Sequence, residues 1–490
     1  MSLTNRKNSV FEGMVLTYAG RILGQMVGLV VSIILARILF PEDYGVIAVV
    51  MIFLNIADVF ITDGFGNAII QKKDVTNLDY STIRTFSVAF SLFMYIGLFF
   101  SAPAIARFFN MPILVNVVRV LGLRLPLDAI NSVQQAYVSR NMLFHLQLIA
   151  SFLASIGSAV VGIIMAVKGM GVWALVAQYL INAVIMVISM RFLTKYRVGF
   201  RFSIPIFKQL FSYGWKLLVT QLISRVFNEF RSMAIGKMFS RSDLAFYQRG
   251  QYYPNLLMSS IEMSMTRVIF PVISRSQDNL EEVKRLLSKT VQLSCYIIIP
   301  FLAVFYAVSD KFVFILLTEK WMPSVPFIHI FCIYYMCTPI NAAKYQAIKA
   351  IGRSDISLWC EIIQKFFGAL ILVYTIFVLR SVEAIAYGNW AFAVVMIITS
   401  SFFCKKYINL PYKQQIKDAS HSIIIALIII IPVLIITFFK FGAFMELLFQ
   451  CVIAVIMFIA GSKVLRFHEY YQLKDTILTF VKRLRPKTTD

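Results

Sequence analysis

Ala36-Arg37-Ile38-Leu39-Phe40-Pro41-Glu42-Asp43-Tyr44-Gly45 closes one long apolar stretch and opens the next. Two hundred residues further on, Gly236-Lys237-Met238-Phe239-Ser240-Arg241-Ser242-Asp243-Leu244-Ala245 does the same. In both runs a basic residue (Arg37, Lys237) ends an apolar segment and an aspartate (Asp43, Asp243) begins another. The correspondence continues with a small drift in register. Met111-Pro112 returns as Met322-Pro323, Arg140 as Arg353, Val172-Trp173-Ala174-Leu175 as Val382-Glu383-Ala384-Ile385, and Lys195 as Lys405. Asp, Pro and Arg at segment ends are not generic to apolar helices, so the pattern reads as an internal duplication. Residues 13–200 and 213–410 form the two copies, each with six apolar segments.

Working outward, apolar segments lie near residues 13–38, 44–68, 82–104, 115–139, 145–167, 171–194, 209–236, 244–270, 287–311, 324–350, 355–379, 382–404, 419–439 and 443–463. Each has about 20 residues or more, which suffices to cross ~30 Å of hydrocarbon as a helix. Residues 105–119 are also readable as an interfacial helix leading into the fourth span. The expected fold is an all-α membrane protein of about 14 transmembrane helices. Two parallel six-helix repeats form two lobes around a central cavity, and two C-terminal helices stand outside the duplication. The expected divisions are an N-lobe over 1–208, a C-lobe over 209–412, a final helix pair over 413–463 and a basic tail over 464–490.

Composition agrees. The chain is 59% hydrophobic and only 14% charged, against roughly 45–50% and about 25% in soluble domains. No polar stretch is long enough for a soluble catalytic domain, so an enzyme is not expected. The first apolar segment is too long for a signal peptide and is read as retained. The net charge of +23 does not indicate nucleic acid, because the basic residues sit in short loops between apolar segments. Placing the N-terminus in the cytoplasm gives the cytoplasmic loops and tail roughly three times the basic residues of the opposite loops, which supports an even span count and two cytoplasmic termini. The six cysteines lack metal-ligand spacing and the four histidines are dispersed, so neither a metal nor another cofactor is expected. The tail mixes apolar and basic residues, and it reads either as an amphipathic helix on an anionic leaflet or as a solvated segment.

Ionisable groups within the spans carry the functional signal, since burying one at the bilayer centre costs at least ~2.5–3.5 kcal/mol. Helical spacing gathers polar residues into stripes. Tyr18, Arg21 and Gln25 share the first span, Asn55, Asp58 and Thr62 the second, and Arg124, Asp128 and Asn131 the fourth. Gln221, Arg225 and Glu229 share the seventh, Asn255, Ser259 and Glu262 the eighth, and Asn341, Lys344 and Tyr345 the tenth. Cations outnumber acids in the spans. One reading is a wet cationic cleft for an anionic substrate group; the other is helix–helix contacts with internally paired charges.

Several motifs resemble bacterial polysaccharide transporters of the Wzx type, in the branch of the colanic acid and teichuronic acid exporters. They are Ala36-Arg37-x-Leu39-x-Pro41-x-Asp43-Tyr44-Gly45, then Gly64-x-Gly66-x-Ala68-x-Ile70-Gln71-x-Lys73-Asp74, Ala245-Phe246-Tyr247-x-Arg249 with Pro254, and Phe270-Pro271-x-x-Ser274-Arg275. The chain departs from that branch at Ala245, where relatives typically carry glycine before an aromatic pair. The resemblance implies the multidrug/oligosaccharidyl-lipid/polysaccharide exporter superfamily. It implies a flippase that moves an undecaprenyl-diphosphate-linked oligosaccharide from the cytoplasmic to the periplasmic leaflet of the bacterial inner membrane by alternating access. Membrane lipids and a polysaccharide polymerase are the implied partners. On this reading Arg21, Gln25, Arg124, Arg225, Asn255 and Lys344 are candidates for holding substrate, and Asp58, Asp63, Glu229 and Glu262 for carrying a coupling ion. A multidrug exporter of the same superfamily is the alternative. It should present acids rather than cations to its substrates.

Overall fold

The duplicated aspartates start helices. In a computed structural model of the chain, which describes residues 24–63, 75–197, 199–264, 270–439 and 441–475, helix α2 runs Pro41–Asp58 after α1, Gly24–Ile38. Phe40 is extended, and its N–H donates to the Asp43 carboxylate at 3.2 Å. Two hundred residues on, the arrangement is a full capping box. Ser240 Oγ accepts from the Asp243 N–H at 3.1 Å, and the Asp243 carboxylate accepts from the Ser240 N–H at 3.0 Å. An acid at the third helical position satisfies amides that an apolar helix leaves bare at its N-terminus.

The chain divides into two compact units, Met1–Ala245 and Phe246–Asp490. In the first, α2 passes at Val59–Asp63 into a π-helical turn. There follow α3 (Asn77–Phe108), the short α4 (Leu114–Leu121), α5 (Arg124–Arg140), α6 (Phe144–Val167), α7 (Val172–Thr194) and α8 (Ile204–Met238). Helix α9 (Arg241–Ser264) starts at the end of this unit and continues into the second. The second unit adds α10 (Phe270–Arg275), α11 (Leu280–Leu317), α12 (Val325–Ala350), α13 (Ser354–Tyr374, widening to a π turn over Thr375–Leu379), α14 (Val382–Ile408), α15 (Tyr412–Ile436) and α16 (Ala443–Val464). Among the described residues there is no strand. Among the described residues ten helical stretches are long and apolar enough to cross a membrane; the expected spans 13–38, 115–139, 209–236 and 244–270 are not among them, and 115–139 is divided between α4 and α5.

The start of α9 packs on the start of α2. Ser242 Oγ donates to Glu42 Oε1 at 2.8 Å, so the two helix starts touch. Gly45 permits the approach: a Cβ there would stand 2.1 Å from the Arg241 carbonyl oxygen. Segment 105–119 is not one interfacial helix. Residues through Phe108 complete α3, and Asn110, at φ 55°, turns the chain toward α4.

In the second unit α11 buries every fourth residue from Val283 through Leu287, Val291, Cys295 and Ile299 to Ala303. That ridge meets the small residues Ala343, Ala347 and Ala350 of α12 and Cys404 of α14. Close approach through small side chains drives helix association where lipid offers no hydrophobic force. The cysteines act here as small residues, and all six are free.

The start of the tail packs its apolar residues within the second unit. After Val464 the chain turns at Arg466 and starts another helix over 468–475. Phe467, Tyr470 and Leu473 pack against Tyr296 and Phe458 in the second unit. His421 Nδ1 sits 2.9 Å from Glu469 Oε1, and its ring stacks on Phe467. The tail beyond residue 475 lies outside the described residues.

Candidate intramembrane polar site

Asn55 and Asp58 lie one turn apart on α2, so they share a face. Each reaches a different helix. Asn55 Nδ2 donates to Glu229 Oε1 of α8 at 2.9 Å. Asp58 Oδ2 stands 3.9 Å from the Arg124 guanidinium of α5, whose Nε donates to Asp128 Oδ2 at 2.8 Å. The Arg124 guanidinium also contacts Met51 sulfur at 3.7 Å and faces the Tyr179 ring at 6.0 Å. Three helices of the first unit are thus joined by polar contacts.

Asp58 is the last α-helical residue before the π turn. A π turn inside a helix is costly and recurs at functional positions. Its effect here is to widen the helix just beyond the carboxylate that faces Arg124.

The charge arrangement is informative. Arg124, a substrate candidate, is shared by two carboxylates, and its side chain is only 26% exposed. Its charge is neutralised from within the unit. Arg225, one turn before Glu229 on α8, is exposed. The network therefore holds two carboxylates against Arg124 and one against Asn55, with Arg225 exposed beside it.

The other candidates are dispersed. Gln25 is half-buried on α1 of the same unit. Asn255 is exposed on α9, in the second unit. Lys344, also in the second unit, is 2% exposed, and its ammonium donates to Ser401 Oγ at 2.7 Å. Arg21 lies outside the described residues, as do the side chains of Asp63 and Glu262.

Sequence reading missed two polar groups. Asp418 fell just outside the span expected at 419–439, yet α15 begins at Tyr412 and carries Asp418 buried in its second turn. The signal was present in Asn409, left-handed at φ 55°, and Pro411, which caps the new helix. Glu446 is buried and pairs with Lys311 at 3.2 Å. Nothing in the spacing of these two residues announces that bond.

The family described as polysaccharide biosynthesis protein matches residues 34–326. The succinoglycan biosynthesis transport protein ExoT of Rhizobium meliloti (strain 1021) is 21% identical over 331 residues, 68% of this chain and 67% of its own. The teichuronic acid biosynthesis protein TuaB of Bacillus subtilis (strain 168) is 22% identical over 354 residues, 70% of each chain. Among solved structures, the lipid II flippase MurJ in an inward closed conformation superposes with a TM-score of 0.71 at 13% identity, covering 92% of this chain and 98% of its own.

Proposed function

The chain belongs to the polysaccharide biosynthesis protein family, and from that premise we propose that it flips an undecaprenyl-diphosphate-linked oligosaccharide across the bacterial inner membrane by alternating access. The observation that carries the reading is the family match over residues 34–326, which takes in all of α2 to α11 and the start of α12. The names of ExoT and TuaB, both tied to export or synthesis of surface polysaccharide, support the substrate class.

The moving parts are two six-helix lobes, residues 1–208 and 209–412, with both termini in the cytoplasm. Arg225 and Arg21 take the diphosphate by charge-assisted hydrogen bonds, for which the planar guanidinium is suited. Arg124 serves instead to hold Asp58 and Asp128. Those carboxylates and Glu229 are the ion-responsive groups of the first unit. Asn255 and Gln25 offer hydrogen bonds to sugars. A polysaccharide polymerase is the partner that consumes the delivered units.

A multidrug exporter would run the same fold with a cationic substrate. The test uses proteoliposomes holding a fluorescent undecaprenyl-diphosphate oligosaccharide, with leaflet exchange followed by quenching. Wild type is expected to exchange it, and Arg225→Ala to slow exchange by at least about tenfold, the equivalent of ~1.4 kcal/mol of lost transition-state contact. Exchange at the protein-free rate, with uptake of a cationic dye in its place, would overturn the reading.

A further inference from the structure

The second unit holds a buried ionisable couple that the function above does not use. Where α11 and α15 both begin, a cavity of about 730 Å³ is lined by Lys284, Ser288, Lys289, Gln292, Gln414 and Gln472, among others. The basic loops lie at this end, which places it in the cytosol on the charge rule. Three lining residues are bonded at the cavity wall. Gln414 Nε2 donates to Ser288 Oγ at 3.2 Å, and Gln292 Nε2 donates to Asp418 Oδ1 at 2.8 Å. Behind Gln292, Asp418 is 3% exposed. Its Oδ2 makes no hydrogen bond of ordinary geometry, with Ser288 beside it.

Lys344 of α12 lies deeper, among Cys295, Cys404, Ala343 and Ala347, all fully buried. It bonds Ser401, and among the described residues no carboxylate forms an ion pair with it. Asp418 and Lys344 nevertheless feel one another's charge. The other ionisable groups acting on them are Cys295 of α11, Cys404 of α14 and Lys417 on the helix of Asp418.

Two opposite charges buried close together but not in contact are expensive, since each pays desolvation and neither receives a full ion pair in return. A proton relieves the carboxylate's share of this cost. Bound at Asp418, it removes the buried carboxylate charge, with Ser288 and Gln292 beside the carboxyl group. We propose that Asp418 is a proton-binding site of the second unit, loaded from the cavity, with Lys344 as its charge partner. A hydronium ion in the cavity gives one proton to Asp418 and leaves as water, and the net charge of the unit rises by one because the carboxylate is neutralised. Use of this proton to drive transport rests on the flippase reading; binding of the proton does not.

The experiment is carbodiimide labelling of the full chain in proteoliposomes. Dicyclohexylcarbodiimide adds to protonated carboxyl groups in apolar surroundings, and peptide mass spectrometry assigns each adduct. Labelling of Asp418 is expected at mildly acidic pH, falling about tenfold per pH unit above its midpoint. Sodium chloride should leave it unchanged. In Lys344→Met the loss of a nearby positive charge should carry the profile to higher pH. No adduct on Asp418 at any pH, or an identical profile in Lys344→Met, overturns the proposal. In a second arm, an imposed pH gradient should accelerate flipping by wild type but not by Asp418→Asn. A gradient that accelerates both equally denies the site its role in transport. A wild type that flips nothing, yet labels as described, overturns the flippase reading and leaves the proton site standing.

Discussion

Arg124 divides its guanidinium between Asp58 and Asp128, so its removal strands two half-buried carboxylates. Breaking a buried ion pair from one side costs about 3–5 kcal/mol, whereas neutralising all members together costs far less. Arg124→Gln is therefore expected to lower the thermal stability of the purified protein by several degrees. The triple variant Asp58→Asn, Arg124→Gln, Asp128→Asn is expected to recover most of it. A thermal-shift series in detergent measures both; equal losses would mean that the three groups do not act as one network. Gly45 gives a second prediction at this scale. A side chain there meets the backbone of Arg241, not a flexible tip, so the start of α9 must move. Gly45→Val should reduce membrane abundance severely, while Ala245→Gly, at the equivalent position, should be tolerated.

At the scale of elements, helix starts and the tail are the points of control. The Ser240–Asp243 capping box satisfies backbone amides at the head of α9. Loss of such a cap costs about 0.5–2 kcal/mol, and Asp243→Ala should show it as a small drop in melting temperature. The tail helix is held by Phe467, which is 7% exposed, and by the His421–Glu469 contact. Phe467→Ala removes a buried ring whose loss costs about 3–5 kcal/mol in a packed core, enough to release a helix of two turns. Limited trypsin treatment of the variant should cut at Arg466 or Lys474 well before wild type is cut. Equal cleavage would mean that the tail is held elsewhere. The amphipathic pattern of the tail was legible in sequence. Its partner was not, because an apolar stripe states that it will be covered and not by what.

At the scale of the whole molecule, orientation follows from the loops. In a cysteine-free background, single cysteines at Lys168 and Arg380 are expected to react with a membrane-impermeant maleimide in intact cells. Those at Arg353 and Lys413 should react only after the membrane is opened; the reverse pattern would invert the topology. The all-helical, apolar character of the chain was legible because hydropathy over about twenty residues is a local property that lipid enforces on each span separately. The helix starts were legible for the same reason: the Asp43 and Asp243 carboxylates act within one turn of their own backbone. Of the polar stripes, sequence alone determined the membership, since a period of 3.6 residues places Asn55 with Asp58 and Arg225 with Glu229 on one face. Only the tertiary structure decided the partners. Arg124 had Asp128 within reach on its own helix, but Asp58 and Tyr179 come from other helices. Asn55 could not be matched to Glu229, nor Asp418 to Gln292, from any spacing. A charge is neutralised by whatever the packing of apolar faces brings within a few ångströms, and that packing is a property of the folded chain.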